Sequence, residues 1–117
     1  MGADEFGGGA ACDLEVELSG YPEEILRGDY LSFDATASNN CDDSLAFDQA
    51  VMTVSGPASL EKTLYDGAPF LVFGSVGASV TLPVPGGAPM GGYTVEVTIY
   101  RDGEAIHADA FEVEVSG

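Results

Sequence analysis

The chain has 117 residues, with 20 Asp and Glu against 3 Lys and Arg, a formal charge of −17, two cysteines, one histidine and no tryptophan. That length holds one domain with one core, and that charge, with no basic stripe, excludes binding to nucleic acid or to an anionic membrane surface. The longest uncharged stretch, Gly67 to Val95, is too rich in proline and glycine to form a spanning helix, so no direct membrane insertion is expected.

At 45% hydrophobic residues the chain lies far from the disordered regime, so the acid must coat a folded body. Met1 to Ala11 lacks the basic region and apolar core of a signal peptide. Residues 1–12 read as a flexible, glycine-rich leader of a mature secreted protein, and residues 13–117 as the domain. The first strand is expected over Leu14 to Ser19, inward on Leu14, Val16 and Leu18. Gly20 to Glu24 opens a connection with room for one helical turn. A second strand follows over Tyr30 to Thr36, then a polar loop from Ser38 to Ser44 dense in turn formers. A third runs from about Gln49 to Ser55, and a fourth from Leu60 to Tyr65 before Asp66-Gly67 turns the chain. Pro69 to Phe73 reads as an edge segment, because proline cannot donate to a central ladder. Val80, Leu82 and Val84 alternate in the next strand. Tyr93 to Tyr100 is the strongest element, Arg101-Asp102-Gly103 a short hairpin turn, and Phe111, Val113 and Val115 close the chain after a bulge expected near Asp109. Seven or eight short strands at intervals of about ten residues, with no helical period, form an all-β antiparallel sandwich.

Antiparallel pairing of the first two strands brings the start of one to the end of the other. Cys12 and Cys41 then meet, and a bond closing a loop of roughly 30 residues stabilises a fold by about 3–4 kcal/mol on the chain-entropy model. Two free thiols are the alternative. No second Cys or His stands near either at zinc-ligand spacing. Asp13, Asp42, Asp43, Asp48 and Asp102 are drawn to the same end. With Asn40 they have the oxygen chemistry of a calcium site, which needs about six to eight ligands. They are equally the ordinary residues of loops, and no EF-hand spacing is present. No other cofactor is expected.

The remaining acid alternates with apolar residues. Glu15 and Glu17 on the first strand, and Glu112 and Glu114 on the last, belong to solvent faces. Arg27-Gly28-Asp29 spells an integrin-ligand tripeptide in a loop, a match that chance readily supplies. His107 has no second histidine and no cysteine nucleophile, and reads as a surface or cross-strand residue. Gly74-Ser75-Val76-Gly77 lacks the lysine and the following helix of a phosphate loop. Catalysis is not expected, since no nucleophile stands with a base. Tyr93, opening its strand after Gly91-Gly92, matches the structural tyrosine corner of immunoglobulin-like sandwiches.

Two stretches carry a family resemblance. Leu31-Ser32-Phe33-Asp34-Ala35-Thr36-Ala37-Ser38 resembles the second strand of polycystic-kidney-disease repeats, although the tryptophan and the Phe-Gly-Asp-Gly turn of those repeats are absent. Leu64 to Gly74 followed by Gly91-Gly92-Tyr93-Thr94-Val95 is similar to immunoglobulin-like modules of bacterial and archaeal extracellular proteins, with Ser75 where those carry Asp. The resemblance implies an immunoglobulin-like antiparallel β-sandwich of 7–8 strands with Greek-key connections, secreted or displayed at the cell surface, and it carries over no catalytic residue. Three functions fit. The first is a structural or adhesive subunit of an extracellular assembly, in which Gly2 to Ala11, with Phe6 as an anchor, orders against a neighbour and adds a strand to an open edge. The second is a monomeric domain recognising carbohydrate or protein. The third is an acidic inhibitor or nucleic-acid mimic that presents the glutamates of the first and last strands to a basic partner.

Overall fold

The computed structural model describes residues 12–117. Among the described residues eight strands follow one another: β1 (Glu15–Ser19), β2 (Glu24–Leu26), β3 (Tyr30–Ser38), β4 (Leu45–Ser55), β5 (Leu60–Val72), β6 (Ser75–Pro83), β7 (Gly91–Arg101) and β8 (Glu104–Ser116). They form a three-stranded sheet in the order β1-β3-β6 and a five-stranded sheet in the order β2-β8-β7-β4-β5. Every pairing is antiparallel except β2 with β8, which is parallel. The chain crosses between the sheets repeatedly, and the result is an immunoglobulin-like sandwich with Greek-key connections. No helix of the described residues is long and apolar enough to cross a membrane.

The alternation of apolar and polar residues places the core. Leu14, Val16, Leu18, Leu31 and Phe33 from one sheet meet Met52, Val95, Val97, Ile99, Phe111 and Val113 from the other, all buried. The Phe33 ring stands edge-on to Phe111 at 5.1 Å, and Tyr21 stacks flat on the other side of Phe111 at 4.2 Å. The outward glutamates of β1 and β8 are exposed, as their alternation requires.

Four local expectations are corrected. No helical turn follows Gly20. The chain instead forms β2, three residues too short for an alternation to be legible, and so changes sheets. Asp66-Gly67 does not end a strand: β5 continues to Val72, and the surplus residues are absorbed by register shifts against β4 between Phe47 and Gln49 and between Ala50 and Val51. Pro69 is tolerated there because β5 is an edge strand whose outer side needs no donor. The register shift between β7 and β8 falls after Ile99 and leaves Ile106 unpaired, three residues before Asp109. β6 begins at Ser75 and ends at Pro83, leaving Val84 to exchange backbone hydrogen bonds with Gly28 and Asp29.

In the β7–β8 hairpin, both Asp102 (φ 53) and Gly103 (φ 82) lie in the left-handed region, as a two-residue turn matched to the strand twist demands. The leader expected over residues 1–12 and the Phe6 anchor lie outside the described residues, save for Cys12.

Candidate functional site

Three regions differ from the rest of the sandwich in their residues or their shape: the acidic end, the side between β1 and β8, and the side between β5 and β6.

At the acidic end Cys12 and Cys41 form a disulfide with a Cα–Cα distance of 5.8 Å. The adjacent Asp13 is bound by both Nη atoms of Arg101, at 2.8 and 3.1 Å, while the Arg101 Nε donates to the Ala46 carbonyl at 2.9 Å. One guanidinium thus ties the start of β1 to β4 and β7. The Arg101 hydrogen bonds hold the Asp13 carboxyl below the usual carboxylate range, against the opposing effect of burial. Arg101 is in turn raised, chiefly by Asp13, with Asp102 and Asp48 adding to the field around it. Asp48 accepts the Asp102 N–H at 3.0 Å. Asp13, Asp48 and Asp102 therefore organise around a cation supplied by the chain. Among the described residues, no three of His, Cys, Asp and Glu come close enough together to hold a metal ion. Asn40, Asp42 and Asp43 lie in the loop before β4. There it is the neighbouring Asn39 that is buried, and its amide donates to the carbonyls of Asp43 and Val72 while its oxygen accepts the Cys41 N–H. Asn39 is a structural knot, and only its burial distinguishes it from the turn residues around it.

Two other motifs have structural surroundings. The Tyr93 hydroxyl donates to the Pro89 carbonyl at 2.6 Å, bridging the loop that leads into β7. Arg27-Gly28-Asp29 forms the turn between β2 and β3, with Arg27 N–H bonded to Ser116 and Gly28 N–H to Val84.

Between β1 and β8 the sandwich is closed by side chains. β1 is an edge strand, and its unpaired backbone N–H groups would otherwise lack protein partners. The Val16 N–H donates to Nδ1 of His107 at 3.0 Å, and the Leu18 N–H to Oδ2 of Asp109 at 2.9 Å. Both acceptors come from β8, in the other sheet. His107, which the sequence showed only as a lone histidine, caps an edge. The signal that could have exposed it is its two-residue spacing from Asp109, which matches that of Val16 and Leu18.

Among the described residues, the opposite side is open. β5 ends its sheet, β6 ends the other, and they join through only Phe73 and Gly74 near the disulfide end. Away from that link a groove of about 460 Å³ separates them, walled by Phe47, Leu64, Tyr65 and Phe70 on one flank and Val76 and Val80 on the other. The inward residues Val76, Val80 and Leu82 remain half-buried. Phe70, Leu71 and Phe73 are exposed, Phe73 by 74%. From Gly67 through Val84 this side carries no charge. An apolar inner surface beside two unpaired edges is the arrangement that accepts an added strand.

No protein-family model matches the sequence, and no curated protein matches it. Solved structures do. A β-glucosidase from Listeria innocua in complex with glucose is 19% identical, with a TM-score of 0.59 over 96% of this chain and 17% of that one. The alkylpurine DNA glycosylase AlkC of Pseudomonas fluorescens, bound to DNA containing an abasic-site analogue, is 13% identical with a TM-score of 0.65, over 91% of this chain and 31% of that one. The CARDB domain of a Pyrococcus furiosus protein is 12% identical with a TM-score of 0.58, over 89% of this chain and 93% of the domain. The chain thus spans about a sixth of the glucosidase and nearly all of the CARDB domain. These likenesses are of fold: the protein has the architecture of an immunoglobulin-like β-sandwich module, and it resembles modules of that kind.

Proposed function

We propose that this domain is a non-enzymatic module that works outside the cytoplasm as a structural or adhesive subunit of an extracellular assembly, joining its neighbours through the open β5/β6 side. The observation that carries this reading is the mainly apolar groove between two edges that no described strand pairs, on the side where Gly67 through Val84 carry no charge, while the donors of the β1 edge are capped. The Cys12–Cys41 bond is compatible with an oxidising compartment. The outward acid supplies solubility to a module displayed at a surface. A calcium contribution to that assembly is part of the same proposal and belongs in its test.

The third function requires one acidic face. β1 lies in the three-stranded sheet and β8 in the five-stranded sheet, so Glu15 and Glu17 point to the opposite side of the sandwich from Glu112 and Glu114. That division favours the assembly reading over an acidic mimic.

Sedimentation velocity and electron microscopy at high protein concentration test the proposal, run across salt and calcium and with and without residues 1–11. Assembly that strengthens as salt screens the molecule's charge is the expected result. A strictly monomeric protein in every condition overturns it.

A further inference from the structure

Among the described residues, the four edges of the two sheets differ in how they are protected, and the difference selects one of them. On β1 the backbone donors of Val16 and Leu18 are taken by His107 and Asp109. β2 has three residues and carries Glu24. β5 carries Glu61, Lys62, Asp66 and Pro69 and two register shifts. These are the devices by which natural sheets prevent edge-to-edge pairing: caps, shortness, charge, proline and bulges. β6 has none of them before its terminal Pro83. Its nine residues, Ser75 to Pro83, pair with β3 in unbroken register, and it is the one strand among the described residues without a charged side chain.

Resting on the assembly reading above, we propose that the occupant of the β6 edge is a second copy of this chain. The two β6 strands pair antiparallel about a two-fold axis at Ser79 and join two three-stranded sheets into one of six. The sequence of β6 is complementary to itself in that register. Val76 comes opposite Leu82 and Ala78 opposite Val80 on the inner face, while Gly77 faces Thr81 and Ser79 faces its counterpart on the outer face.

Charge selects the same contact. Two molecules of formal charge −17 repel through their acidic faces, and an approach along β6 presents the least charge. The carboxylate beside the edge is Asp34 on β3, opposite Ser79, whose hydroxyl donates to its Oδ1 at 2.9 Å. In the paired sheet the two Asp34 residues would stand three strand spacings apart, about 14 Å, beyond the Debye length of about 8 Å at physiological salt. Self-pairing therefore strengthens with salt up to that range and then levels off.

The test uses the whole chain. Ser79→Cys puts two thiols on the axis at cross-strand distance, and mild oxidation is expected to trap a covalent dimer, whereas Gly86→Cys, in an open loop, is expected to trap none. Thr81→Glu, exposed on the outer face, is expected to weaken dimerisation about tenfold or more with the melting temperature of the monomer retained. Should that variant lose its fold, the Ser79→Cys trap decides alone. Self-association that survives Thr81→Glu and yields no Ser79→Cys dimer overturns the β6 contact and leaves the assembly reading standing. A dimer lost on removing residues 1–11, with no Ser79→Cys trapping, assigns the edge to that segment of a neighbour and also overturns it. A strictly monomeric protein overturns both.

Discussion

The two long sides of the sandwich are built from the same kinds of strand and finished in opposite ways. On the β1/β8 side, Tyr21 lies flat on Phe111, β2 adds a parallel strand, and two β8 side chains take the free donors of β1. On the β5/β6 side, Phe70 packs against Phe47 and Tyr65 yet stays partly exposed, and no described residue fills the groove beside it. A closed side contributes stability to the monomer. An open side leaves its apolar surface and edge backbone donors uncovered by the described residues. Acid on this small domain is informative by its distribution, because the uncharged stretch from Gly67 to Val84 coincides with the open side.

Substitutions can break this comparison directly. Phe111→Ala on the closed side removes the ring shared by Tyr21 and Phe33 and should cost about 3–5 kcal/mol in chemical denaturation. Removing the disulfide with Cys12→Ser and Cys41→Ser should cost about 3–4 kcal/mol, since the bond anchors the start of β1. His107→Ala and Asp109→Ala should each cost about 1–2 kcal/mol by leaving a β1 donor without its acceptor. Hydrogen exchange should then accelerate at Val16 in the first variant and at Leu18 in the second. Unchanged exchange at both amides would show that the caps are incidental. On the open side, Phe70→Ala should cost about 1 kcal/mol or less, and a loss equal to that of Phe111→Ala would erase the distinction between the sides.

The smallest effect concerns pH. Arg101 lowers the Asp13 pKa, so their pairing contributes stability that is fully present above the ordinary carboxylate range and is lost as pH falls through the depressed value. Both side chains are about a third exposed, so the contribution at neutral pH should be under about 1 kcal/mol. Asp13→Asn should lower stability at neutral pH by that amount and flatten its decline in acid. Parallel acid titrations of the two proteins would expose an error in this assignment.

How much of the molecule was legible in its sequence depends on the range over which each feature is encoded. Period-two alternation is local, so Leu14-Val16-Leu18 and Tyr93-Val95-Val97-Ile99 declared both their strands and their buried faces. The acidic end was legible as a place, because antiparallel pairing alone brings Cys12 beside Cys41. Its organisation was not, because Arg101 reads in sequence as one residue of a hairpin turn and only the packing of β1, β4 and β7 brings Asp13 and Ala46 to it. β5 was divided at Asp66-Gly67 because a turn and a bulge use the same residues, and only the partner strand distinguishes them.

An all-β sandwich, the inward face of most of its strands and a surface rich in acid all follow from the order of neighbouring residues along the chain. Which edges are closed was decided by the tertiary structure. The donors of Val16 and Leu18 are satisfied by residues 91 positions away, across the gap between two sheets. The bareness of β6 becomes meaningful only once that strand is placed at an edge.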